Sequence, residues 1–462
     1  MLDSASVNPL AQKQSAGSLI RFALPSVATM VFMGLYTIVD VVFVARFVSP
    51  DAMASINIAT PAINLIVGFA TMLAMGGNAI VATKMGAGCE QESRRDFTLI
   101  ALSGFVVAAL VAMLGNAFLD PLVGCLGATP ALKPYCMDYM AIILAFAPAS
   151  VLQVLFQNAV IAAGRPGVGT AMAVVCGLSN IAFDYLFLAV MGLGISGAAW
   201  GTVTGYTVAA LMGFAFFVSR KGRLRFAKPS RDLKVIAKSC GNGASEMVSQ
   251  AAAAVTTFLF NAAMLSLAEE AGVAAVTIVI YTQFFVVSLF IGFSMGTAPV
   301  ISYDYGSGDK AALSNVFRSC LKCIAVASVA ACILAFLLTP ALSALFAEPG
   351  SPVFSLASAG LAIFSTSFLF SGLNTFASAA FTALSNGRLS ALVSFLRTFG
   401  LVPLCILLLP RLLGIDGVWM AVPIAEAVTF ALAATLLFCN GNRYGYRSQE
   451  VVGAADRTAH GN

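Results

Sequence analysis

Charge is what this sequence most lacks. Asp, Glu, Lys and Arg make up 10% of its 462 residues, while 60% are hydrophobic. A soluble domain carries about 25% charged residues, so this chain cannot present a solvated surface and belongs in lipid. Histidine is nearly absent, with His460 in the tail as the one example. The apolar segments therefore lack the residue that most metal centres and nucleophile–base pairs use, which argues against an enzyme and against a bound cofactor. No Walker A sequence is present, so ATP is not the fuel. The ten cysteines are scattered, several inside apolar segments (Cys176, Cys332, Cys405), as packing residues and not as a disulfide framework. Cys320 and Cys323 form one C-x-x-C without the second pair a zinc site would need. The strict polar–apolar alternation of a membrane barrel is missing too, because the apolar runs are continuous.

What is present is a series of those runs. A helical span needs about 20 apolar residues, and twelve segments qualify. In the first half they lie near 19–47, 55–83, 97–119, 137–163, 168–190 and 196–219, and in the second near 240–267, 273–303, 314–338, 354–384, 390–410 and 416–438. The reading is an all-α integral membrane protein. Its segments are a polar N-terminal stretch (1–18), a first lobe (19–219), a basic connecting loop (220–239), a second lobe (240–438) and a polar tail (439–462). The first apolar block is too long for a signal peptide and reads as a true span. Basic residues alternate onto one side: Lys13 and Arg21, Lys84 with Arg94 and Arg95, Arg165, the run from Arg220 to Lys238, Lys310 with Arg318, Arg388 and Arg443. The positive-inside rule then places both termini in the cytoplasm. The basic connecting loop needs no nucleic-acid partner, since topology and anionic membrane lipid account for it.

The halves repeat one another. Gly76 and Gly296, Gly86 and Gly306, Gly88 and Gly308, and Gly197 and Gly417 share one separation, and Arg165 after Gly164 resembles Arg388 after Gly387. Six spans per half make the repeats parallel, an arrangement found in transporters. Gly192-Leu-Gly-Ile-Ser-Gly197 fits a dinucleotide pattern by letter but follows a membrane span, so it is no cofactor site. Gly197, Gly201 and Gly205 instead suit close helix packing.

Against this background a few acids stand out. Asp40 is the one charge between Arg21 and Arg46, and Asp184 the one charge between Arg165 and Arg220. A carboxylate near mid-membrane costs about 2.5–3.5 kcal/mol on insertion scales. Chain direction puts Asp40, Asp184 and Thr202 at one depth in the outer half, with Asn180 one turn below Asp184 on the same face. These oxygens suit a proton or a hard cation such as Na+, and the competing reading is a structural hydrogen-bond cluster. Glu246, with Gln250 one turn on, and Glu426 are candidates for substrate contact or a second proton; Tyr36, Gln153, Gln157 and Gln283 are candidate cavity groups. Structural roles are as reasonable for these. Pro25, upstream of Asp40 in span 1, removes a backbone hydrogen bond and permits a bend.

Several stretches resemble the multidrug and toxic compound extrusion (MATE) family, in its bacterial multidrug branch. They include Ala23-Leu-Pro25 with Leu35-Tyr-Thr-Ile-Val-Asp40, Lys84-Met-Gly-Ala-Gly88, Phe156-Gln-Asn158 through Gly164-Arg-Pro166, and Asn180-Ile-Ala-Phe-Asp184. Gly192 through Thr202, Gly241-Asn-Gly-Ala-Ser-Glu246 and Pro299 through Gly306 complete the set. The resemblance implies twelve helices in two six-helix lobes, V-shaped around a central cavity, in the inner membrane of a bacterium. It implies a monomer that exports drug-like, often cationic molecules in exchange for H+ or Na+. It places the first-lobe cation site on Asp40, Asn180, Asp184 and Thr202 and the bend of the first helix on Pro25. Glu246 matches an acidic position of span 7 that other members pair with an aspartate on span 10, where this chain has Ser371 and Asn374 instead. Two readings from other classes stay open. A flippase for a lipid-linked precursor would be expected to carry more basic residues mid-span than the single Arg397, and a passive channel would show flux indifferent to a cation gradient.

Overall fold

The computed structural model describes Leu10 and residues 16–48, 50–219 and 223–446, together with their side chains except at 16, 35, 37–42, 44–46, 50–51, 53–54 and 254. Among the described residues the chain is helical throughout. In order come α1 (Ala16–Phe47), α2 (Pro50–Gly86), α3 (Glu90–Ala117), α4 (Leu119–Cys125), α5 (Lys133–Ala145), α6 (Ala147–Ala162), α7 (Pro166–Asp184), a π-turn (Tyr185–Val190), α8 (Gly194–Val218) and α9 (Lys234–Asn242). Then follow α10 (Ala244–Ser307), α11 (Lys310–Leu337), α12 (Thr339–Ala344), α13 (Pro352–Phe364), a 3-10 turn (Ser365–Ser367), α14 (Phe368–Ala383), α15 (Gly387–Phe395), a second π-turn (Leu396–Gly400), α16 (Leu401–Leu408), α17 (Pro410–Leu413) and α18 (Ile415–Tyr444).

Ten of these helical runs are long and apolar enough to cross a membrane, and α5 with α6 makes an eleventh span bent by 52°. The bend has a sequence cause: Pro148 has no N–H to give the carbonyl of Leu144, so the helix breaks at Phe146. One of the ten, α10, is 64 residues long and is interrupted by non-helical backbone at Ala268 and Glu269. At 1.5 Å per residue it is far longer than a bilayer core is thick, so it supplies two spans joined at that break and brings the total to twelve. Lipid-facing character shows in the large apolar side chains left outside, such as Phe105, Leu110 and Met113 on α3 and Val326, Ile333 and Leu337 on α11.

The short helices were not expected from sequence. The polar stretch after span 3 holds α4, and the corresponding stretch of the second half holds α12. The expected match of Arg165 with Arg388 needs correcting. The residues that precede α7 and α15 are Arg165 and Asn386, and the left-handed residues before them are Gly164 (φ 76°) and Ser385 (φ 58°). Asn386 caps its helix by accepting from the Leu389 amide, a role that an arginine side chain cannot fill.

The chain folds into two compact units. The first comprises Pro25–Val81 and Glu90–Leu259; the second holds Ala82–Cys89, the described residues up to Leu24 and those from Phe260 onward. Chain continuity thus passes from one unit to the other within α1, between Leu24 and Pro25. In the first unit the core gathers Val123, Tyr139, Met140, Leu188, Ile195 and Val203. In a second layer Phe97 stacks on Phe226 of the connecting loop, while Phe156 and Phe217 meet that ring edge-on. That loop is strapped to α3: Arg94 Nε donates to the Arg223 carbonyl (2.6 Å), Ala227 N to Thr98 Oγ1 (3.0 Å), and Ser230 N to the Arg95 carbonyl (3.1 Å). In the second unit Phe290, Ile301, Phe317, Phe376 and Tyr446 form the core.

Candidate ion-coupling site

The site begins with the α7–α8 pair. Gly201 and Gly205 line the face of α8 that meets α7, Gly197 meets the π-turn that follows α7, and a Cβ at Gly205 would strike the Cys176 carbonyl. Small residues let two helices approach closely in lipid. Here they also make room for a charge: a Cβ at Gly201 would overlap Asp184 Oδ1. Asp184 is completely buried, with its carboxylate lying where α8 has no side chain. The π-turn starts at the next residue and ends this span in a wider coil. Such single π-turns recur at functional sites.

One turn before Asp184, Asn180 is buried, and its Oδ1 accepts no hydrogen bond among the described residues. It faces a cavity of about 110 Å³ that Thr202 also lines. The rest of the wall mixes Tyr36 from α1, Tyr139 from α5, Tyr206 from α8, Ser150 and Cys176 with the aliphatic side chains of Ile63, Ile66, Ile143 and Ala147. This is room for several waters or a hydrated ion, and the walls supply oxygens to hold them. The structure therefore brings together Asn180, Thr202 and Tyr36. Asp184 lies beside them on α7 but is not part of the cavity wall. Asp40 falls on α1, but its side chain lies outside those described.

Other candidates fall elsewhere. Gln153 donates to Gln157, whose Nε2 lies 3.8 Å from Met33 Sδ, so these amides tie α6 to itself and to α1. The Pro25 carbonyl accepts from Thr29 Oγ1 (2.9 Å) and from Thr170 Oγ1 of α7 (2.7 Å), which anchors α1 next to its proline. Glu246 is half-buried in the first turn of α10, and Gln250 packs on Gly68 of α2. Gln283 is half-buried on α10, in the second unit. Glu426, also in the second unit, is buried in an ion pair with Arg397 (2.7 Å). Sequence reasoning noticed Arg397 without pairing it to Glu426, and it missed Tyr139 and Tyr206. Tyr206 was findable, since it lies one turn beyond Thr202.

A polytopic helical fold with an internal parallel repeat and a buried acid beside an internal cavity defines a membrane transporter. The chain belongs to the MatE family, matching it over residues 25–186 and again over 246–407, once in each half. It is similar to multidrug export protein MepA of Staphylococcus haemolyticus, 22% identical over 431 residues, covering 92% of this chain and 94% of that one. The MepA of Staphylococcus aureus strain MRSA252 is likewise 22% identical, over 91% and 92% of the two chains. Among solved structures, a multidrug-resistance MATE transporter of the MOP superfamily in its outward-facing conformation superposes with a TM-score of 0.88 at 19% identity, covering 96% of this chain and 99% of its own. A Pyrococcus furiosus transporter of the same superfamily, described as having a binding pocket of reversed polarity, gives 0.86 at 18% identity over 96% and 99%. At these identities the likeness fixes the fold alone.

Proposed function

We propose that this protein is a secondary active multidrug exporter of a bacterial inner membrane. It exchanges amphiphilic, often cationic drug-like molecules for H+ or Na+, and its coupling site lies in the first lobe. The observation that carries this reading is the fully buried Asp184 next to a cavity lined by Asn180 and Thr202. A carboxylate so deep in apolar surroundings is stable when a cation accompanies it. An entering proton or Na+ offsets the carboxylate charge, and release of the cation restores that charge. Asp40 joins the site because it is the one charge of its span. Tyr36 supplies an aromatic wall, and aromatic faces attract cationic drugs. Glu246 and Gln250 are the candidates for substrate contact at the start of α10. The membrane potential contributes about 2.3 kcal/mol per charge per 100 mV. The resemblance to MepA, which is named a multidrug export protein, supports drug-like substrates. The lobes are 19–219 and 240–438, joined by the basic loop 220–239, with both termini cytoplasmic.

The test compares wild type and Asp184→Asn in inverted vesicles loaded by imposed H+ or Na+ gradients, with ethidium as substrate. Wild type accumulates ethidium under one of the two gradients. Asp184→Asn inserts normally and still binds ethidium, but its gradient-driven uptake falls at least tenfold. Equal uptake by the two proteins overturns the first-lobe site.

A further inference from the structure

The second half contains a polar cluster deep in its helices that the coupling site does not use. Arg397 sits in the π-turn after α15, and its Nε donates to Glu426 Oε1 at 2.7 Å. Its Nη1 donates to Thr375 Oγ1 at 2.8 Å. Asn374 Nδ2 donates to the other carboxylate oxygen of Glu426, Oε2, at 2.7 Å and to the Glu426 carbonyl at 2.9 Å. Glu426 is 4% exposed and Arg397 17%. Two buried acceptors are left over, Asn374 Oδ1 and Ser371 Oγ, which have no partner among the described residues. The π-turn has a local cause, because Pro403 cannot donate to the Phe399 carbonyl and the coil widens ahead of it.

The internal repeat tells what this cluster replaces. Helices α6 and α14 are both sixteen residues long; Ser150 and Ser371 are the fourth residues, Gln153 and Asn374 the seventh. Counting from the starts of α7 and α15, Cys176 and Arg397 are both the eleventh residue. Tyr206 follows Gly197 by nine residues, as Glu426 follows Gly417. In the first half Ser150, Cys176 and Tyr206 line the cavity. Their counterparts in the second half are a serine, an arginine and a glutamate, and the last two are joined in an ion pair. The repeat thus places a fixed guanidinium and its counter-ion where the first half keeps open space.

We propose that Arg397 is a tethered cation. It occupies a cation site formed by Glu426, Asn374 and Thr375, at the repeat-related counterpart of the first-half cavity. That site is permanently filled, and the second half exchanges no ion during transport. The first part rests on the geometry of the cluster alone. The stoichiometric consequence, coupling through one half only, rests on the reading of Asp184 given above. Removing the guanidinium leaves a buried carboxylate with oxygen and amide neighbours shaped for a planar cation, so the vacated site accepts free guanidinium.

Chemical rescue tests this. Purified Arg397→Ala protein is heated in detergent with low-millimolar guanidinium chloride, or with tetramethylammonium chloride as control. The variant is expected to melt lower than wild type, and guanidinium should restore more than half of the lost midpoint while tetramethylammonium does not. Arg397→Ala/Glu426→Gln should show no such rescue, and wild type should be indifferent to both salts. A folded Arg397→Ala that guanidinium does not selectively stabilise overturns the proposal. Should that variant fail to fold, Arg397→Gln/Glu426→Gln decides: it should fold and keep the wild-type ratio of ions exchanged per ethidium. A changed ratio, or no folded protein, overturns the proposal. The melting arm involves no transport, so it stands or falls separately from the role of Asp184.

Discussion

At position 201 a hydrogen takes the place of a side chain, and the Asp184 carboxylate occupies the space so left against α8. Substituting Gly201→Ala forces either the acid or the helix to move, and overpacking of this kind costs about 1–3 kcal/mol. We expect a lowered melting midpoint together with loss of gradient-driven ethidium transport, since the displaced group is the acid proposed to couple ion and drug. Gly241→Ala is the control: a Cβ there meets nothing within 4 Å, and alanine favours the helix. Its midpoint should be unchanged or slightly raised. A Gly201→Ala protein as stable and active as wild type would remove the argument that the acid needs that space. Part of this site was readable from sequence. The isolation of Asp184 and the four-residue glycine spacing were both visible, and one physical cause, close α7–α8 approach, links them. The Arg397–Glu426 pair was not readable, because 29 residues and a helix reversal separate its members.

Helix crossings show the same economy on a larger scale. Within the second unit, a Cβ on Gly86 of α2 would overlap the Tyr303 carbonyl of α10, and a Cβ on Gly306 would overlap the Thr83 carbonyl. The two backbones cross in direct contact, each with a glycine at the other's carbonyl. Gly86→Ala and Gly306→Ala should each destabilise by about 1–3 kcal/mol. Because both open the same crossing, the double variant should cost clearly less than the sum of the two. Thermal unfolding of the four proteins measures this, and strict additivity would show that the two glycines serve separate contacts. The equal spacing of Gly86 and Gly306 was evident in the sequence, as were the spans themselves, because a 20-residue apolar run has few alternatives in a membrane. The breaks inside elements were harder. The bend at Phe146 had a visible cause in Pro148, but α4, α12 and the π-turn after Asp184 depend on tertiary packing that no local pattern encodes. Ser385 was hidden for a related reason, since its positive φ is set by the turn before α15 and not by its residue type.

For the molecule as a whole, the distribution of basic residues predicts an orientation that experiment can read. Lys84, Arg94 and Arg95 flank the α2–α3 turn, whereas the segment from Asp120 to Tyr135 carries Lys133 alone and pairs it with Asp120 at 2.7 Å. On the positive-inside rule the first loop is expected in the cytoplasm and the second outside. Each holds an exposed cysteine, Cys89 and Cys125 respectively. Two variants that retain one of these and replace the other nine cysteines make the orientation measurable. A membrane-impermeant maleimide added to intact cells should modify the Cys125 protein and leave the Cys89 protein unlabelled. Inverted vesicles should give the opposite pattern. Exposure of both thiols rules out burial as the reason for any failure to react, so membrane sidedness is what the comparison reads. Labelling of Cys89 from outside intact cells would invert the topology. The proposed direction of drug movement would invert as well, because in that proposal the sides on which ion and drug are released follow from which loops face the cytoplasm.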